Sequence, residues 1–106
     1  MSTRDDFQKI LEENPIVLFM RGNAAFPMDS FGASVVQCLD DVGYRPRTID
    51  ILQDPDIKRS LQNATHSTPP PVLYIHGELV GGYDTIMDRL DSGDLQRMLS
   101  TASARP

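Results

Sequence analysis

Pro71-Val-Leu-Tyr-Ile-His-Gly-Glu-Leu-Val-Gly-Gly-Tyr-Asp84 is the stretch on which the fold turns. Val72–Ile75 and Glu78–Val80 are strand-like runs, and His76-Gly77 between them supplies a two-residue turn, so the segment reads as an antiparallel β-hairpin. Gly81-Gly82 closes the hairpin and feeds a helix from Tyr83 to Leu90. Upstream, Ile16–Met20 is an apolar run without alternation, which suits a central strand buried on both faces. Arg47–Ile51 is a second, more polar strand, and a helix from about Ser30 to Val42, stopped by Gly43, separates the two. Strands joined by a helix run parallel, whereas a hairpin is antiparallel. Together they predict a mixed four-stranded sheet flanked by helices.

The remaining segments fit that sheet. Asp5–Glu13 reads as a first helix, with Ser2 and Thr3 as candidate caps and Phe7, Ile10 and Leu11 at helical spacing; Asn14-Pro15 ends it. Asp54-Pro55 opens a third helix whose apolar contacts are Ile57 and Leu61. A polar stretch, Asn63–Thr68, and a rigid, extended Pro69-Pro70-Pro71 follow. After a break at Ser92-Gly93, a last short helix covers Asp94–Leu99, leaving residues 100–106 as a frayed tail. The 106 residues suit a single domain, and no internal repeat is visible. The order helix, strand, helix, strand, helix, strand, strand, helix, helix is the thioredoxin-like arrangement of the α/β class.

Composition narrows the function. A formal charge of −5 with ten scattered basic residues argues against nucleic acid as a partner. The one cysteine, Cys38, excludes an internal disulfide framework, and it falls on the same helical face as Val35, Leu39 and Val42, where it is expected to point into the core. His66 and His76 sit on a polar loop and at a turn, and the usual four-ligand set of a zinc site cannot be assembled around them. No apolar run approaches the roughly 20 residues that span a bilayer, and Met1–Asp6 lacks a signal-peptide core, so no membrane partner and a cytoplasmic location are expected.

Two junctions carry the candidate chemistry. The loop Arg21–Ser34 leaves a buried strand and enters a helix, a place where free backbone N–H groups and the helix dipole favour an anion. Asp29 or Ser30 is the candidate cap there, and Asp29 reads as a structural anion rather than a general base. The second junction is Gly81-Gly82-Tyr83-Asp84, where glycines permit close approach of a ligand to a helix start. Taken alone, Asp84 reads as a plain N-cap.

Arg21-Gly22 after the first strand, Pro27-Met-Asp-Ser-Phe31, Val35-Val36, Ile49-Asp-Ile-Leu52, the hairpin with its Gly-Gly turn, and Ser92-Gly-Asp-Leu-Gln96 together make the chain resemble the monothiol glutaredoxin family over nearly its whole length. The departure is in the active-site loop. The family reads Cys-Gly-Phe-Ser where this chain reads Asp29-Ser30-Phe31-Gly32, so the nucleophile position holds Asp29 and no catalytic residue is expected. In the family the thiolate attacks glutathione mixed disulfides and ligates a bridging iron–sulfur cluster. A carboxylate forms no disulfide and is a hard ligand for a cluster iron, so neither a cluster nor another metal is expected. Cys38 lies about 13 Å further along the helix and does not substitute.

The resemblance implies that a glutathione or γ-glutamyl ligand sets its carboxylate on Gly82, Tyr83 and Asp84. Pro71 matches the family's cis-proline, and Pro70 occupies the preceding position, whose backbone meets the ligand's cysteinyl moiety. Pro70 has no N–H, which costs about 0.5–1.5 kcal/mol, or a roughly two- to tenfold weaker complex. Arg21 and Lys58 match basic residues suited to the glycyl carboxylate, and Phe31 a residue beside the ligand; by themselves they read as surface charges and rim packing. A BolA-type protein is the implied macromolecular partner. The expectation is therefore a binding module linked to redox or iron–sulfur homeostasis. The alternative is a glutathione-dependent oxidoreductase or cluster carrier with a non-standard ligand set.

Overall fold

The structure, a computed structural model, describes residues 3–103. Its elements are α1 (Thr3–Glu13), β1 (Ile16–Met20), α2 (Ser30–Asp41), β2 (Arg47–Asp50), α3 (Pro55–Thr65), β3 (Val72–Ile75), β4 (Glu78–Gly81), α4 (Tyr83–Ser92) and α5 (Asp94–Ser103). The strands form one sheet in the order β2-β1-β3-β4. β1 pairs with β2 in parallel (Val17 opposite Arg47, Phe19 opposite Ile49) and with β3 antiparallel (Val17 opposite Tyr74). β3 and β4 are the hairpin, slipped by an irregularity at Leu73/Tyr74, and its turn residues His76 and Gly77 both take positive φ (52° and 77°), as a twisted two-residue turn requires.

Side chains alternate across a strand, so each central strand feeds two cores. Leu18, Met20, Leu73 and Ile75 face α2, α4 and α5 and pack with Val35, Leu39, Ile86, Leu95 and Leu99. Val17, Phe19, Val72 and Tyr74 face α1 and α3 and pack with Phe7, Leu11, Ile57 and Leu61. This explains why β1 is apolar at every position: all five of its residues are buried. On the second face Phe7 stacks on Phe19 at 5.3 Å, and Tyr74 meets both rings edge-on. Burial there pushes the Tyr74 phenol above its ordinary pKa.

The structure departs from the sequence reading in several places: α1 already includes Thr3, a candidate cap, and α4 runs to Ser92 rather than Leu90. β2 stops at Asp50 because the Asp50 carboxylate turns back to accept from the N–H groups of Gly22 (3.1 Å) and Leu52 (2.9 Å). α3 runs three residues into the polar stretch, through Thr65, because Thr65 is buried and its hydroxyl donates to the Leu61 carbonyl at 2.8 Å. Cys38 is half-buried and stands outside both core clusters. The stripe that α2 buries is Gly32, Val35 and Leu39, and Cys38 is turned about 100° from Leu39, at the margin of that stripe. α5 continues to Ser103 rather than ending at Leu99; residues 104–106, like the candidate cap Ser2, lie outside the described residues.

Candidate functional site

The loop from Arg21 to Met28 is built by its own backbone. Gly22 sits at φ +81°, and a Cβ there would lie 2.3 Å from the Phe26 carbonyl oxygen, so this turn admits only glycine. The Asn23 side-chain oxygen accepts from the N–H groups of Ala25 and Phe26, both at 2.9 Å, and Met28 N–H donates to the Arg21 carbonyl at 3.1 Å. The loop therefore delivers Asp29 in an extended conformation (φ −147°, ψ 166°) to the start of α2. One Asp29 oxygen accepts from Gly32 N–H at 2.7 Å, and the other lies 3.2 Å from the Arg21 guanidinium. The α2 terminus is thus capped by its own chain and its charge is balanced. Of the two candidate caps, Asp29 holds the position. The same loop holds Phe26 and Met28 out in solvent, 77% and 66% exposed.

The α4 terminus is different. Its N-cap is Gly82, which has no side chain to cap with, and Ile86 N–H donates to Gly82 O at 2.9 Å, closing the first turn. The N–H groups of Tyr83, Asp84 and Thr85 precede that bond, where a helix leaves its donors without intrahelical carbonyls. Asp84 is not the cap; it stands at the second helical position, exposed. Above this turn lies an open cavity of about 400 Å³, walled by Thr68, Pro69 and Pro70 on one side and by Gly82, Tyr83, Asp84 and Thr85 on the other. Phe31 closes the end, its ring meeting Tyr83 edge-to-face at 4.9 Å. The Pro70–Pro71 peptide is cis, and Pro71 is fully buried beneath the wall. A Cβ on Gly82 would come within 2.9 Å of the Thr68 methyl, so glycine is what allows the two walls to approach this closely.

Of the residues singled out from the sequence, Phe31, Pro70, Gly82, Tyr83 and Asp84 share this cavity, with Pro71 behind it. Arg21 is held by Asp29 at the other terminus, and Lys58 is exposed on α3; neither lines the cavity. Thr68, Pro69 and Thr85 line it and were not singled out, although Thr85 directly follows the Gly-Gly-Tyr-Asp turn and Pro69 directly precedes Pro70. Among the described residues, no three His, Cys, Asp or Glu side chains are grouped to hold a metal ion, and no helix is long and apolar enough to cross a membrane.

A β2-β1-β3-β4 sheet with helices on both faces, and a cis-proline beside an uncapped helix start, defines a thioredoxin-like protein. The chain belongs to the glutaredoxin family, whose family model, Glutaredoxin, matches residues 16–80. It is 36% identical over 104 residues to Glutaredoxin 4 of Escherichia coli (strain K12), covering 98% of this chain and 90% of that protein. It is 37% identical over 105 residues to Glutaredoxin 4 of Pasteurella multocida (strain Pm70), covering 99% and 96%. Among solved structures it is similar to reduced poplar apo GrxS14 (TM-score 0.85, 28% identity, covering 99% of this chain and 100% of the other). It is also similar to the buckwheat glutaredoxin–glutathione complex (TM-score 0.84, 26% identity, covering 98% and 93%).

Proposed function

We propose that this glutaredoxin is of the monothiol type, has exchanged its nucleophile for Asp29, and serves as a binding module for glutathione or a γ-glutamyl ligand. The observation that carries this reading is the contrast at the two helix starts: α4 opens uncapped into a cavity beside the cis Pro70–Pro71 peptide, while α2 is closed by a carboxylate. In this reading the γ-glutamyl carboxylate sits on the first turn of α4, and the ligand body packs on Tyr83, Phe31 and Pro70. The glutathione complex of the buckwheat relative supports the ligand class. Pro70 supplies no N–H, so the complex is weakened by about two- to tenfold relative to one with that bond.

The donor set at Asp29 does not fit an iron–sulfur cluster. Its oxygens are engaged by Gly32 N–H and Arg21, and a carboxylate is a hard ligand. Any link to redox or iron–sulfur homeostasis then runs through ligand or protein binding in the cytoplasm, with a BolA-type protein as the partner the family resemblance suggests.

Calorimetric titration of glutathione into the protein tests the binding half: a saturable isotherm is expected, and no heat at millimolar ligand overturns it. Turnover in a glutathione-dependent disulfide reduction assay that is lost in Cys38→Ser would overturn the non-enzymatic half. The triple change Asp29→Cys, Ser30→Gly, Gly32→Ser is expected to fold, because a Cβ at 32 meets the movable end of Met20 at 3.1 Å. It should also gain disulfide reduction activity.

A further inference from the structure

The wall of the α4 cavity is fixed from behind by a side chain that does not line the cavity. α3 ends with two successive non-glycine residues in the left-handed region, His66 (φ 54°) and Ser67 (φ 66°), a combination that persists only where neighbouring bonds hold it. Those bonds centre on Thr65. Its hydroxyl donates to Leu61 O at 2.8 Å and accepts from Thr68 N–H at 3.2 Å, while the Thr68 hydroxyl donates back to Thr65 O at 2.8 Å. Ser67 N–H is taken up by Gln62 O at 2.8 Å. Among the described residues Thr65 is the one polar residue that is buried, 5% exposed. The ring of bonds aims the Thr68 methyl at Gly82, the N-cap of α4.

We propose that Thr65 is the positioning residue of the α4 site: its buried hydroxyl fixes Thr68 against Gly82 and thereby sets the separation between the Thr68–Pro70 wall and the first turn of α4. The inference concerns the same cavity as the proposed function, and rests on it only for the identity of the ligand. Valine at 65 has the shape of threonine and lacks the hydroxyl, so it leaves Thr68 N–H without its acceptor, whereas serine keeps the oxygen.

The test compares wild type, Thr65→Val and Thr65→Ser by amide NMR without ligand, then by glutathione titration. In Thr65→Val the Thr68 amide should exchange about tenfold faster, and the Gly82, Tyr83 and Asp84 amide resonances should move. Thr65→Ser should keep both near wild type. Glutathione affinity should fall roughly two- to tenfold in the valine variant and be restored in the serine variant. Unmoved Gly82–Asp84 resonances in a folded Thr65→Val, or serine as perturbed as valine, overturn the proposal. If wild type binds no glutathione, the ligand reading falls and the ligand-free amides alone decide this one. Should Thr65→Val not fold, hydrogen exchange of the wild-type Thr68 amide decides: protection well above the free-peptide rate supports the bond to the Thr65 hydroxyl, and exchange at the free-peptide rate overturns the proposal.

Discussion

At the start of α2, Asp29 gives one oxygen to Gly32 N–H at 2.7 Å and holds Arg21 with the other at 3.2 Å; at the start of α4, Gly82 offers no side chain, and a 400 Å³ cavity stands where a cap would be. Both termini present the same unsatisfied donors and the same positive end of a dipole. One is neutralised by an anion from within the chain; the other has no side-chain cap, and under the proposed function it takes the carboxylate of the ligand. Where a helix start is already capped, the local physics favours structure. Where glycine holds the cap position and the facing wall is kept close, it favours a ligand.

That contrast can be broken from either side, and the largest effect should come from the loop that delivers Asp29. Gly22→Ala puts a Cβ 2.3 Å from a backbone oxygen at φ +81°, so the loop must reopen. Urea denaturation should show a loss of about 2–4 kcal/mol. Next is Gly82→Val, which fills the gap to Thr68 and should abolish or weaken glutathione binding by about tenfold or more, read by calorimetry, while costing roughly 1–3 kcal/mol by overpacking. Asp29→Ala removes the α2 cap and should cost about 1 kcal/mol in chemical denaturation without changing ligand affinity. Asp29→Asn keeps a capping oxygen and should recover most of that loss. An affinity change in Asp29→Ala would mean that the two termini act as one site.

The smallest effect concerns Asp84, whose carboxylate stands exposed in the first turn of α4 and competes for the dipole with any bound anion. Asp84→Asn should tighten anion binding by roughly two- to fivefold at low ionic strength and lower stability by about 0.3–1 kcal/mol. Both changes should shrink as salt is added.

Much of this architecture can be read from local pattern. The unbroken apolar run Ile16–Met20 signals a strand covered on both faces, His76-Gly77 signals a tight hairpin turn, and Asp54-Pro55 signals a capped helix start; each is a property of a few neighbouring residues. The readings that changed involve residues whose environment is set by distant segments. The polar run after Leu61 looks like a loop until Thr65 is seen buried against the α3 backbone. Cys38 has helical spacing to the core, yet the stripe that α2 buries runs through Gly32, Val35 and Leu39 and leaves it at the margin. Lys58 and Arg21 carry suitable charge, but one lies exposed on α3 and the other is engaged by Asp29, facts that residue type cannot report.

The sequence alone determined the order and kind of the elements and the presence of a carboxylate where α2 begins, because periodicity, turn residues and capping act within a few positions along the chain. Only the tertiary structure decided which helix start stays open. That depends on how near Thr68 comes to Gly82, and on Asp50 reaching back to Gly22, contacts between segments far apart in the chain whose distance is fixed by the packing of the sheet and its two cores.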